Sequence, residues 1–187
     1  MNSISHILVC SDGYPTVDDP VFPFVEQFVN AVSNMNIEVT VIAPQSLTKH
    51  FFRKTPLHPR YRRIEINGRG NVEIFQPFSI SFSNKCKFLN TFFKNIAIRC
   101  AVNRMKNKPD VCYGHFWHCA TYLLSFAKKN RIPLFVASGE ASVKTENDIP
   151  KRVLDVFLKY FNGVIFASSK NKKEAENYVK NIFKGVK

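Results

Sequence analysis

Residues 111–142, VCYGHFWHCATYLLSFAKKNRIPLFVASGEAS, decide the fold. The apolar run at Val111 to Tyr113 reads as a buried strand, and a polar-aromatic turn follows it. Cys119 to Lys129 then has helical spacing, Pro133 to Ala137 is a second strand, and Gly139, Glu140 and Ser142 sit in a second small turn. Two parallel strands joined by a helix open both turns at the carboxyl edge of the sheet, where α/β folds bind ligands. His115, Trp117 and His118 on the first turn and Glu140 on the second therefore share one rim, an arrangement that points to an enzyme site.

The same alternation runs through the chain. His6 to Cys10 reads as a strand, residues 24–35 as a helix with an apolar stripe, and Glu38 to Ala43 as a second strand closed by Pro44. Residues 63–66 and 72–76 form a hairpin or two short strands around Asn67-Gly68-Arg69-Gly70. Residues 88–105 carry apolar side chains at helical spacing, and 150–161 and 171–183 flank a strand at Gly163 to Ala167. Strands alternating with helices predict a doubly wound, Rossmann-like parallel sheet in a single domain over residues 1–187. Residues 45–63 are basic, aromatic and punctuated by proline, and read as a surface excursion.

A chain of 187 residues with 45% hydrophobic content can bury one sizeable core. No apolar run is long enough to span a bilayer, and the amino terminus lacks a signal-peptide pattern. Five cysteines without a CxxC pair argue against a disulfide framework and for a reducing, cytoplasmic setting. Cys112, His115, His118 and Cys119 cluster in sequence, but a strand and a helix start are poor geometry for four convergent ligands, so no metal is expected.

Charge is unevenly spread. Residues 49–63 contribute Lys49, Arg53, Lys54, Arg60, Arg62 and Arg63, and residues 85–108 contribute Lys85, Lys87, Lys94, Arg99, Arg104, Lys106 and Lys108. Neither segment holds an acid, and together they match the net charge of +13. Such a localised excess suits a polyanionic partner, a membrane surface or nucleic acid. The turn Ser11-Asp12-Gly13 after the first strand is small enough for phosphate approach, yet with one glycine it is not a dinucleotide fingerprint.

In order along the chain, Tyr14-Pro15, Asp18-Asp19-Pro20, residues 24–27 (FVEQ) and 37–44 (IEVTVIAP) come first. Pro109-Asp110-Val111, Gly114-His115-Phe116-Trp117, Ile132-Pro133-Leu134, Gly139-Glu140-Ala141-Ser142 and residues 163–169 (GVIFASS) follow. This series resembles the amino-terminal domain of a family 4 glycosyltransferase of GT-B fold. The resemblance implies sugar transfer from a nucleotide-sugar to a glycan or lipid-linked acceptor, hexosyltransferase-like and with retention, in cell-surface polysaccharide synthesis. It implies that a donor-binding carboxyl-terminal domain lies beyond this chain, that the chain alone is inactive, and that no cofactor or metal takes part.

The resemblance assigns His115 as the catalytic-site histidine in preference to His118. It assigns Asp12, Gly13, Trp117, Glu140 and Ser142 to substrate binding. Arg53, Lys54, Arg60, Arg62 and Arg63 would meet an anionic leaflet from the cytoplasmic side, as a peripheral membrane contact. The competing reading is a basic α/β module that binds nucleic acid or another polyanion. It explains the charge but not the ordered rim motifs, and no RNA-binding signature is present, so no nucleic acid is expected.

Overall fold

The structure is a computed structural model and describes residues 3–16, 18–66, 70–82, 86–139, 156 and 158–184. Nine strands occur among them: β1 (His6–Cys10), β2 (Glu38–Ile42), β3 (Gln45–Ser46), β4 (Tyr61–Ile66), β5 (Gly70–Phe75), β6 (Phe78–Ser79), β7 (Val111–His115), β8 (Leu134–Ser138) and β9 (Gly163–Phe166). Five long helical elements accompany them: α1 (Pro23–Ser33), α2 (Leu47–Arg53), α3 (Lys87–Val102), α4 (Trp117–Asn130) and α5 (Ser169–Lys184). Residues 158–160 are also helical, and the rest of the helix expected at 150–161 lies largely outside the described residues.

Seven strands form one sheet in the order β4-β5-β2-β1-β7-β8-β9. All neighbours pair in parallel except β4 and β5, the antiparallel hairpin at one edge. The doubly wound, Rossmann-like sheet expected from the alternation is therefore present, with one antiparallel edge strand. β3 and β6 make a separate two-stranded parallel ribbon. The stretch 45–63 is only partly an excursion, because Ser46 caps α2 by accepting from the Lys49 N–H and β4 begins at Tyr61.

Period-two alternation divides the core between the two faces of the sheet. Leu8 and Cys10 of β1 join Ile42, Ile98, Cys112, Leu123 and Leu134 in the cluster under α3 and α4. Val9 joins Tyr14, Val25, Val29, Val41, Ile74 and Tyr113 in the cluster under α1. At the amino edge, Asp110 accepts from the Ser5 N–H (2.8 Å), the Ser5 hydroxyl (2.8 Å) and the His6 N–H (3.0 Å), tying β1 to the lead-in of β7. Those hydrogen bonds hold its carboxyl below the usual range, led by the bond from the Ser5 backbone. Asp110 thus serves the strand register, far from the carboxyl rim.

α3 departs from its expected packing. The apolar stripe over 88–105 predicts a core-facing helix, yet Ala97, Ile98, Ala101 and Val102 are the residues it buries. Its first three turns leave Phe88, Leu89, Phe92 and Ile96 in solvent. Helical periodicity fixes which residues share a face but not how much of that face finds a partner.

Gly114 governs the seating of α4. A β-carbon there would stand 2.3 Å from the Ala120 Cα and N, inside backbone that cannot yield. Gly114→Ala is expected to cost at least about 3 kcal/mol, at the upper end of overpacking substitutions. Chemical denaturation of the purified chain measures it, and a loss below about 1 kcal/mol would show that α4 can shift aside.

Candidate active site

The rim is built where β1, β2 and β7 end. β1 runs into Ser11-Asp12-Gly13, and the Ser11 N–H donates to the Ile42 carbonyl (3.1 Å), fixing the turn against β2. β7 ends at His115, and Phe116 turns the chain into α4 with φ 83° and ψ 152°. That backbone region is essentially reserved for glycine, and a phenylalanine held there is a strained position of the kind found at functional sites. The Phe116 N–H donates to the Ala137 carbonyl (3.0 Å) and secures the turn.

The turn aims His118 across the sheet at Asp12. His118 Nε2 lies 2.6 Å from one Asp12 carboxylate oxygen, and Lys94 Nζ of α3 donates to the other at 2.9 Å. One carboxylate thus lies between two cations, all three side chains about a quarter exposed. Burial opposes every one of these charges, but mutual attraction outweighs it. Asp12 is held well below the carboxylate range by His118 and Lys94 against its burial. Lys94 is pushed above the lysine range by Asp12, again against burial. His118 is raised against its burial by Cys119 and Asp12 beside it. The Cys119 thiol is itself driven well above its ordinary value by complete burial, so Asp12 is the anion that keeps His118 charged.

His115 is the opposite kind of histidine. Its ring stacks on Phe24 at 4.7 Å, meets Phe116 edge-on at 4.7 Å, and its Nδ1 lies 3.1 Å from the Tyr113 hydroxyl. Burial pushes its pKa down to about 4, a fall that Asp12 only partly offsets, and the ring is neutral at physiological pH. A neutral imidazole can exchange hydrogen bonds with a hydroxyl without bringing charge.

A cleft of about 280 Å³ opens beside Asp12 and Gly13, between the β1 turn and the segment from Ala43 to Lys49. Asp12, Gly13, Lys94, Lys49, Gln45 and His58 are among its lining residues. Trp117 lies elsewhere: it is 3% exposed, and its indole N–H donates to Ser138 Oγ at 3.0 Å beneath α4. It offers no face to a ligand, because helix α4 begins at Trp117 and turns the ring into the core. Glu140 and Ser142 lie outside the described residues. Of the basic set, Arg53, Lys54, Arg60 and Arg63 are exposed, whereas Arg62 turns inward. Its guanidinium donates to the Pro15 carbonyl (2.9 Å) and covers the Tyr14 ring at 5.5 Å.

Sequence reasoning passed over Lys94 and ranked His118 second. The signal for Lys94 was present: it falls at positions i−4 and i−7 to Ile98 and Ala101, on the buried face of α3. A lysine on a buried face requires an acid, and none is near it in sequence. The four-residue metal cluster considered from the sequence does not assemble. Cys112 is buried within β7, and its thiol is pushed up to about 12 by burial. Instead Asp12, His118 and Cys119 bring one ligand atom each within 4.8 Å of one another. The Lys94 ammonium already neutralises Asp12 there, and a charged His118 has no lone pair for a metal.

No protein-family model matches this chain, and no curated protein does. Solved structures do resemble it in fold. Sucrose-phosphate synthase from Thermosynechococcus elongatus aligns with TM-score 0.60 at 12% identity, over 94% of this chain and 81% of that one. The UDP-forming α,α-trehalose-phosphate synthase from Burkholderia xenovorans, solved with glucose-6-phosphate, aligns with TM-score 0.59 at 10% identity over 95% of this chain. The corresponding enzyme from Burkholderia vietnamiensis gives 0.59 at 11% identity over 97%. This chain spans 44% of each trehalose-phosphate synthase. The shared architecture is the Rossmann-like half of a GT-B fold.

The two histidines bend the pH dependence of stability in opposite directions. An unfolded imidazole titrates near 6.5. The lowered His115 value makes stability fall as pH drops from 6.5 to about 4, where the unfolded chain binds a proton that the fold resists. The raised His118 value makes stability fall as pH climbs above 6.5, where only the fold retains the proton. Maximum stability is expected near pH 6.5. His118→Gln should flatten the alkaline limb and His115→Gln the acid limb in denaturation curves across pH. Unchanged limbs would refute these environments.

Proposed function

We propose that this chain is the acceptor-side half of a glycosyltransferase, which moves a sugar from a nucleotide-sugar to a glycan or lipid-linked acceptor. The carrying observation is the rim itself: a neutral histidine and a charged Asp12–His118–Lys94 cluster at the carboxyl ends of β1 and β7, beside a polar cleft. The GT-B half-fold supplies the setting. In this reading the donor diphosphate is held by a second domain, and the chain shown here contributes the acceptor wall. Transfer is hexosyltransferase-like with retained configuration, in cell-surface polysaccharide synthesis, and needs no metal.

The roles follow from protonation. His115 keeps its Nδ1 on the Tyr113 hydroxyl, which leaves Nε2 for a sugar hydroxyl. Phe24 and Phe116 hold the ring without adding charge. Asp12 is committed to two cations, so it orients His118 and Lys94 rather than acting as a base. In the protein at its natural length, His115→Ala is expected to lower kcat/KM at least about a hundredfold, the usual scale for a positioned acid–base group. Transfer of labelled sugar from a panel of nucleotide-sugars measures it. Undiminished transfer in the variant would remove His115 from the site, and no transfer from any donor would remove the reading.

The acceptor surface of this reading meets an anionic membrane from the cytoplasmic side. Arg53, Lys54, Arg60 and Arg63 are exposed, and Arg53 and Lys54 directly follow Phe51 and Phe52, which are 74% and 85% in solvent. No helix among the described residues is long and apolar enough to cross a membrane. Each basic residue near an anionic leaflet is worth about 1 kcal/mol. The double variant Arg53→Glu with Lys54→Glu should therefore weaken binding to phosphatidylserine vesicles by at least about tenfold. Vesicle flotation at low and high salt checks this, and wild-type binding by the variant, or preferential binding of RNA, would overturn membrane docking.

A further inference from the structure

A second cleft adjoins the first. It measures about 630 Å³, lies between α2 and α3, and is lined by Thr48, Lys49, Phe52, Arg53, Ser81, Phe82, Asn90 and Lys94. Lys49, Ser81 and Lys94 line both clefts, so they stand at the junction between them. Among the described residues, no acid lines the second cleft. Among the described residues two acids line the first, and both are engaged: Asp12 by Lys94 and His118, and Asp19 by His58 at 3.4 Å. Among the described residues no ion pair involves Lys49 or Arg53.

Charge at the junction therefore does not cancel. Asp12 offers one negative charge to two cations, which leaves one positive charge; Lys49 adds another at the junction, and Arg53 adds a third on the wall of the second cleft. Polar groups of the second cleft are already oriented by local bonds. Thr48 Oγ1 accepts from the Ser81 N–H at 2.7 Å, and Asn90 Oδ1 accepts from the Phe82 N–H, which leaves the Asn90 amide N–H groups as donors. Ammonium, guanidinium and amide donors around a space without free carboxylates suit a multiply charged oxyanion. Phe52 and Phe82, which line the same cleft, offer apolar faces to whatever the anion carries.

We infer that Lys49 and Lys94 at the junction of the two clefts, with Arg53 and Asn90 on the wall of the second, form a phosphate-recognising subsite, which holds a phosphorylated acceptor. The inference rests on the glycosyl-transfer reading for the word acceptor, but the phosphate site itself does not. The phosphate can belong to a soluble sugar phosphate or to a lipid headgroup. The two sources share the same oxyanion chemistry and differ only in what extends along Phe52 and Phe82.

The test is calorimetric titration of the whole chain with glucose 6-phosphate, with glucose as the neutral control, and flotation with vesicles containing phosphatidic acid. Glucose 6-phosphate or phosphatidic acid is expected to bind and glucose is not. Lys49→Ala, at an exposed position where folding is not at stake, should weaken that binding about tenfold, the scale of one charge-assisted hydrogen bond. Lys94→Ala should weaken it further, and far-ultraviolet circular dichroism would identify any unfolding there. Binding of the sugar phosphate assigns a soluble source, and Lys49-dependent binding of phosphatidic acid alone assigns a lipid headgroup. Equal affinity for glucose and its phosphate, or phosphate binding unaffected by Lys49→Ala, would overturn the subsite. Lys49-dependent phosphate binding in a protein that transfers no sugar would keep the subsite and discard the transferase reading.

Discussion

The approach of α4 to β7 across Gly114 is the constraint on which the rim depends. Without a side chain at that position the first turns of α4 lie directly on the strand, with Ala120 backbone where a β-carbon would be. This contact puts Trp117 into the core and turns His118 back toward β1. It also forces Phe116 into a backbone conformation that phenylalanine rarely adopts. Close packing of one helix start thus sets three consecutive side chains on three different courses: a strained hinge, a core anchor and a site residue.

Once α4 is seated, the electrostatics follow. Asp12 hangs from the end of the neighbouring strand and His118 reaches it at 2.6 Å, while Lys94 arrives from α3 on the same face of the sheet. Three ionisable groups that would each resist partial burial alone are mutually stabilised. Removing the carboxylate would leave two cations facing each other, so the cluster holds α3, α4 and the β1 turn together. His115, one strand position away, is spared charge by its aromatic neighbours. Two histidines three residues apart therefore carry opposite protonation at one pH.

Much of the architecture was legible because it depends on local periodicity. HILVC, EVTVI and LFVAS announce buried strands, and the spacing in 24–35 and 119–129 announces helices. The parallel sheet and the carboxyl-edge position of Asp12 and His115 follow from that alternation. Less was legible for α3, whose stripe of Phe88, Leu89, Phe92 and Ile96 looks like a core face and is displayed to solvent. Periodicity contains no information on whether a second surface lies opposite. Trp117 was misplaced for a related reason: the helix begins two residues earlier than its composition implies, and one helical step of 100° separates the rim from the core.

The sequence by itself determined that this is a parallel α/β chain with a strongly basic middle and a histidine-bearing turn at a strand end, since these depend on residue type and short-range spacing. Only the tertiary structure decided which histidine is charged, which lysine is paired with an acid and where the basic segments meet. Asp12 and His118 are paired across 106 positions, and Asp12 and Lys94 across 82. Protonation states are set by such through-space neighbours and by the water that packing excludes, and neither is written in the order of residues along the chain.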